Sequence, residues 1–344
     1  MNEVTSLIKE TVKEFNNNKK GKLIRNYLEN TQNNEVKSVQ EKENIDEIIS
    51  DKIKKDPTNI KKAFIEVLFE QLYKYSAIFK INNPDYEEYI EPLKNQNYDD
   101  ENIEYVYNED MQSILIMEEK MGHKLVGDSL TDVKRINASL ITIINFENSV
   151  YLVISTESIP QYYRRNESTQ YYLNKIDRIR EFIENTLFLS LSAIDFNYTI
   201  EQIRKQDDEN EMIVSAQSMN INSGAKATLD SSSSKDIILP ILGEIKNLLE
   251  ENVELFQQCN EGYDLLKNYV EELEQESDLP WVTLRFNNKI QVKFLFETAT
   301  NKDYTLLNYY SDYNSSKKGR EAMNDVTNKI ISKYNTFSSN FSEN

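Results

Sequence analysis

The sequence predicts an α+β protein: a helical N-terminal region followed by a mixed domain with two β-hairpins packed among long amphipathic helices. Three observations carry this. Apolar residues near the N-terminus recur at helical spacing. Lys134–Pro160, KRINASLITIINFENSVYLVISTESIP, is the densest apolar and β-branched block in the chain. Pro280–Phe296, PWVTLRFNNKIQVKFLF, alternates with period two.

In chain order, Val4, Leu7, Ile8, Thr11, Val12 and Phe15 share one helical face. The run NNNKKGK around Gly21 is expected to break that helix before LIRNYLEN forms another. Residues 31–44 are polar and aperiodic, a flexible connection. Ile45, Ile48, Ile49 and Ile53 mark the next helix, and Asp56-Pro57 ends it and starts another. That helix is expected over Thr58–Ile81; Ile103–Met121 reads as helix or strand, the run SILIMEEKMG favouring a helix that ends at Gly122, with His123 beside the capping glycine.

In the first hairpin, a three-residue loop Glu147–Ser149 pairs Phe146 with Val150 and Ile144 with Leu152, apolar against apolar on both faces. That is the pattern of strands covered on both sides. Glu167–Leu191 reads as a long amphipathic helix, Glu211–Ile221 as a strand and Asn222–Ser234 as a loop. Lys235–Ser277 reads as two helices joined near Gly262. In the second hairpin, a loop at Asn287–Lys289 pairs Leu284 with Val292, with Thr283, Arg285, Gln291 and Lys293 on a wet face at a sheet exterior. A last helix is expected over Lys317–Tyr334. The implied domains are 1–122, mostly helical, and 126–336, α+β, with a frayed tail at 337–344.

Composition excludes more than it identifies. The chain has 344 residues, a formal net charge of -18 and 28 % charged residues, which suits a packed globular protein of one or two domains. An acid excess argues against a general nucleic-acid coat. No apolar run reaches a bilayer span, and the start, MNEVTSLIKETVKEF, lacks an apolar signal core. One cysteine, Cys259, allows no disulfide framework, and one histidine, His123, allows no multi-histidine metal site. No cofactor and no metal are expected.

Each chemical motif has a plainer reading. Gly122–Ser129, GHKLVGDS, has the glycine spacing of a phosphate loop, but Asp128 stands where the lysine is required. Glu244-Ile245-Lys246, the one tempting nuclease-type motif, falls in a helical pattern. Two basic islands stand out: Tyr162-Tyr163-Arg164-Arg165 and Lys317-Lys318-Gly319-Arg320, which Arg285 and Lys293 would extend. Trp281, the single tryptophan, is either a core or an interface anchor.

The function expected is a soluble, acidic, non-catalytic interaction or scaffold subunit of a cytoplasmic complex. It would bind a protein partner and no membrane, in a setting such as phage–host or mobile-element conflict and antiviral defence. The first alternative is a nucleic-acid-binding protein or carboxylate-metal nuclease using the basic islands. The second is an acidic DNA-mimic-like inhibitor. Oligomeric state is not fixed by the sequence. The ends of the first hairpin, Gly127–Asp132 and Tyr162–Arg165, are the first place to look for a functional surface.

Overall fold

The structure is a computed structural model that describes residues 3–31, 45–94, 103–164, 169–205, 212–220, 226–230, 245, 248–256, 259–275, 278–288, 290–296, 302–311 and 319–342. The chain divides into two compact units, 1–192 with 318–324, and 193–317 with 325–344.

The first unit begins with α1 (Glu3–Lys13) and α2 (Asn17–Asn30). The break between them falls before Gly21, at Asn16, whose side chain accepts from the Lys19 amide and caps α2. Gly21 lies inside α2. The pair α3 (Ile45–Lys55) and α4 (Pro57–Glu70) follows, with Asp56 as N-cap and Pro57 in the first turn. The helix expected to reach Ile81 stops at Glu70, and Tyr75–Ile81 is strand β1. YSAIFKI keeps the apolar spacing of the preceding helix, but it is aromatic and branched and nearly all buried, which suits a covered strand. Helix α5 spans Tyr86–Lys94.

The expected helix at Ile103–Met121 is also corrected. It is β2 (Ile103–Asn108) and β3 (Ser113–Val126), followed by β4 (Ser129–Phe146) and β5 (Ser149–Thr156). These pair antiparallel in the order β2-β3-β4-β5-β1, with β6 (Leu191–Ala193) on β1. The predicted arrangement, two hairpins set among helices, is therefore overturned: the strands form a broad antiparallel sheet with helices on its faces. Mixed helix and strand content stands.

The first hairpin also slips by one residue. Phe146 pairs with Ser149 and Asn145 with Val150, closing on the two residues Glu147 and Asn148, with Glu147 at φ 50. Both faces of these strands are buried in the middle, so a slip keeps apolar residues inside either way, and pattern alone does not pin the register.

Directly paired residues in an antiparallel sheet share a face. On one face lies α6 (Thr169–Thr186), whose Tyr172 stacks on Tyr75 at 3.8 Å. On the other face lies the first turn of α10 (Gly319–Ser342), where Arg320 donates to Met111 O at 3.2 Å, to Thr142 Oγ1 at 3.2 Å and to Ser113 Oγ. Gly319, at φ 67, brings that turn against the Glu70 carbonyl, where a Cβ has no room.

The second unit holds α7 (Asn197–Lys205), β7 (Met212–Asn220), β8 (Lys226–Asp230), α8 (Val253–Phe256), α9 (Asn260–Gln275), β9 (Asp278–Phe286), β10 (Ile290–Leu295) and β11 (Leu306–Ser311). Its strands run β11-β10-β9-β7-β8. The second hairpin keeps the expected register, Leu284 with Val292 and Phe294 with Val282. It sits inside this run, flanked by β7 and β11, rather than at an exterior. Phe196 packs on Phe294 and Tyr334, at 5.7 and 5.6 Å between ring centroids. The last helix continues to Ser342, past the expected end at Tyr334 and through the expected tail. Within 222–234, Lys226–Asp230 is strand β8 rather than loop. The rest of that stretch, residues 32–44, 95–102 and most of the first expected helix of 235–277 lie outside the described residues. Among the described residues, no helix is long and apolar enough to cross a membrane.

Candidate functional site

The sheet does not end squarely. β2 pairs with β3 only as far as Glu118, and β5 pairs with β4 only from Ser139. Residues 119–126 of β3 and 129–138 of β4 continue past these limits, paired with each other from Glu119–Ile136 out to Val126–Ser129. Gly127, at φ 60, and Asp128 close the tip. The phosphate-loop spacing of Gly122–Ser129 is thus a strand glycine followed by a hairpin turn.

The two faces of this ribbon differ. One carries Gly122, Lys124, Val126, Ser129, Thr131 and Val133. At its base the 3-10 turn Gln161–Tyr163 seats against Gly122. A Cβ there would lie 2.5 Å from Tyr163 Cδ1 and 2.8 Å from Tyr162 O, so only glycine admits the contact. Lys124 Nζ lies 5.5 Å from the Tyr162 ring centroid.

The turn is tied down from α1. Tyr162 and Tyr163 both donate their hydroxyls to Glu14 Oε1, at 2.9 and 2.8 Å. Arg135 bridges Glu14 Oε2 and Glu157 Oε1, both at 2.9 Å, and Glu157 also accepts from the Ala138 amide at 2.8 Å. Burial, reinforced by Glu14, pushes the Tyr162 hydroxyl up to about 12 and Tyr163 higher still. Burial opposes the charge of Arg135, but Glu157 and Glu14 outweigh it and raise its pKa. The turn therefore stays neutral and bonded across ordinary pH.

The other face carries Met121 opposite Lys134, His123 opposite Asp132, and Leu125 opposite Leu130. His123 Nδ1 and Asp132 Oδ1 are 2.7 Å apart. The expected place of His123, beside a helix-capping glycine, is corrected: it is a mid-strand residue in a cross-strand pair. Met121, Leu125 and Leu130 are 52 %, 68 % and 69 % exposed. Large apolar side chains clustered on a braced ribbon mark an interaction surface more strongly than scattered ones do.

The predicted site residues fall elsewhere or serve structure. Tyr162 and Tyr163 brace the ribbon from behind. Arg164 donates to Ile159 O at 3.2 Å and lies 5.5 Å from the Tyr172 ring, so its guanidinium is held against the protein. Arg165, Lys317 and Lys318 lie outside the described residues. Arg320 is buried, and burial lowers its pKa to about 10; it meets carbonyl and hydroxyl oxygens and presents no face to a phosphate. In the second unit, Trp281, Thr283, Arg285, Gln291 and Lys293 share one face of β9 and β10, and Lys293 Nζ sits 3.5 Å from the Trp281 ring centroid. That brings Trp281 and Lys293 together as a half-buried cation–aromatic pair, with Arg285 on the same face opposite Gln291.

A second polar cluster lies under α6. Glu118 accepts from Lys175 at 3.0 Å, from Asn137 at 3.1 Å and from Arg178. Asn137 also donates to Tyr171 Oη at 2.8 Å. Asn137, Ser139 and Thr156 are wholly buried. The cluster's bonds run from Lys175, Arg178 and Tyr171 of α6 to Glu118 and Asn137 of the sheet, so it orders the helix on the sheet. Among the described residues, no group of three or more histidine, cysteine or carboxylate side chains is placed to hold a metal ion.

Leu265, Leu266 and Tyr269 form an exposed stripe on α9. Much of the chain just before it lies outside the described residues, so the stripe defines no surface alone.

The ribbon had a legible signal. Gly127-Asp128 between Val126 and Ser129 is a two-residue hairpin turn, and Leu125 and Leu130 flank it symmetrically.

Comparison of the chain with family models, with curated proteins and with solved structures finds no match.

Proposed function

We propose that this chain is a non-catalytic interaction subunit that docks protein through the outer face of the β3–β4 ribbon. One observation carries the reading: Met121, Leu125 and Leu130 stand exposed together on one face of a ribbon whose opposite face is seated at its base, at Gly122, on Tyr162 and Tyr163 and ends in the single exposed Val126, 56 % exposed. Holding apolar side chains out in water is unfavourable by roughly 25 cal/mol per Å2 relative to burying them. Bracing the ribbon lowers the ordering cost when a partner covers it. A setting in a cytoplasmic complex, including one active in phage–host or mobile-element conflict, belongs to the same proposal.

The test is recovery of partners by affinity-tagged chains from the cells that make the protein. Wild type is compared with Leu125→Asp/Leu130→Asp and with Phe188→Asp, a control residue as exposed as the ribbon leucines at 72 %. A stoichiometric partner kept by the control and lost from the ribbon variant is expected. Equal recovery from all three would overturn the reading. Salt-sensitive binding of duplex or single strands, lost on Arg164→Ala, would replace it with the nucleic-acid alternative.

A further inference from the structure

Resting on that reading, we infer that the occupant of the ribbon face is a second copy of this chain, joined in a two-fold symmetric contact. Two observations single it out. The first is charge. The chain carries a formal charge of -18, yet the outer face of the ribbon carries only Glu119 and Asp132 against Lys134, a formal charge of -1, and Lys134 pairs with Glu119 at 2.6 Å. Two like-charged copies repel least where their surfaces carry little net charge, and a strongly basic partner gains little from this patch.

The second is self-complementarity. In a two-fold contact each residue meets its counterpart's neighbour and is met in return. A two-fold axis running along the ribbon lays Leu125 of one copy on Leu130 of the other. The same operation sets His123 across from Asp132 and lays Met121 along the alkyl stem of Lys134, because these are the cross-strand pairs of that face. One rotation thus matches apolar with apolar and a ring nitrogen with a carboxylate. Three apolar side chains from each copy make a contact smaller than the about 800 Å2 per partner of a standard interface, so the dimer forms and dissociates with concentration.

Sedimentation velocity of the full chain from ~1 μM to ~500 μM reads this directly. The wild-type coefficient is expected to rise toward the dimer value, and Leu125→Asp/Leu130→Asp to stay at the monomer value throughout. Thermal melting of the variant confirms that it folds. In a Cys259→Ser background, mixed Leu125→Cys and Leu130→Cys chains should form a disulfide-linked dimer that neither forms as well alone. A wild-type monomer at every concentration overturns the inference, as does a dimer indifferent to the aspartates. If the wild type is monomeric while the aspartates still abolish capture of another protein, the second copy is wrong and the docking surface stands. If they change neither, both fall.

Discussion

Gly122→Ala is the sharpest perturbation of the ribbon's brace. The added Cβ would sit 2.5 Å from Tyr163 Cδ1 and 2.8 Å from Tyr162 O, both closer than real Cβ contacts occur. Neither neighbour yields easily. Tyr163 is 2 % exposed with its hydroxyl held by Glu14, and the Tyr162 oxygen is backbone. Overpacking a site of this kind costs about 1–3 kcal/mol. Replacing glycine within a strand returns about 0.5–1 kcal/mol. The net expectation is a loss of about 1–2 kcal/mol, taken by lifting the Gln161–Tyr163 turn off the ribbon. Urea unfolding measures the loss, and amide exchange over 119–126 should quicken. Tyr163→Leu removes the clashing ring but not the Tyr162 oxygen, so in a double-mutant cycle the alanine should keep part of its cost in that background. A Gly122→Ala protein as stable as wild type, with unchanged exchange, would refute the seating of the turn on the ribbon.

Three further outcomes follow from buried charge and backbone strain. Burial pushes Glu118 up, but Lys175 and Arg178 outweigh it and hold its carboxyl below the usual range, while burial wins for Lys175 and lowers its pKa. Glu118→Leu strands the Lys175 charge and should cost about 3–5 kcal/mol by denaturant unfolding at neutral pH, less as pH rises and Lys175 loses its proton; Lys175→Met, which leaves Glu118 bonded to Arg178 and Asn137, should cost less than Glu118→Leu. Burial lowers Lys19 to about 8 against an ordinary 10.5. Between those values the unfolded chain binds the extra proton, so this group adds stability as pH rises from about 8 toward 10.5, and Lys19→Met should flatten that slope in pH-resolved unfolding. Phe188 holds φ 55 at the end of α6, where the Leu189 amide reaches back to Ile183 O at 3.4 Å. Phe188→Gly should relieve left-handed strain and raise stability by about 1 kcal/mol in thermal unfolding.

Much of the helical layer was legible because its caps are local. Asp56-Pro57 shows both the end of α3 and the start of α4 in four atoms of side chain and one ring. The second hairpin was legible because one alternating face fixes its register. The sheet was not. Ser76–Phe79 and Ser113–Met117 are buried on both faces, and a continuous apolar run has no period to separate strand from helix. Partners distant in sequence decide it: β1 pairs with β5 from Tyr75–Thr156 to Ile81–Val150. For the same reason, the first hairpin's register settled one residue away from the apolar-for-apolar match.

The candidate surface was half legible. Gly127–Asp132 and Tyr162–Arg165 were singled out: Tyr162 and Tyr163 seat at the ribbon's base on Gly122 and Lys124, while Gly127–Asp132 forms its tip. Their roles differ from those expected. The tyrosines brace, and Leu125 and Leu130 face solvent. Basic residues attract notice in an acidic chain, but Arg320 lies 4 % exposed beneath Thr142 and Ser113, and sequence alone does not show that burial.

The docking face is the central claim, and a photo-reactive residue at position 125 tests it most directly. With benzoylphenylalanine in place of Leu125, irradiation in the producing cells should give one discrete adduct of defined mass. The same probe at Phe188, equally exposed, should give none. Equal labelling from both positions, or no adduct from position 125, would contradict the account.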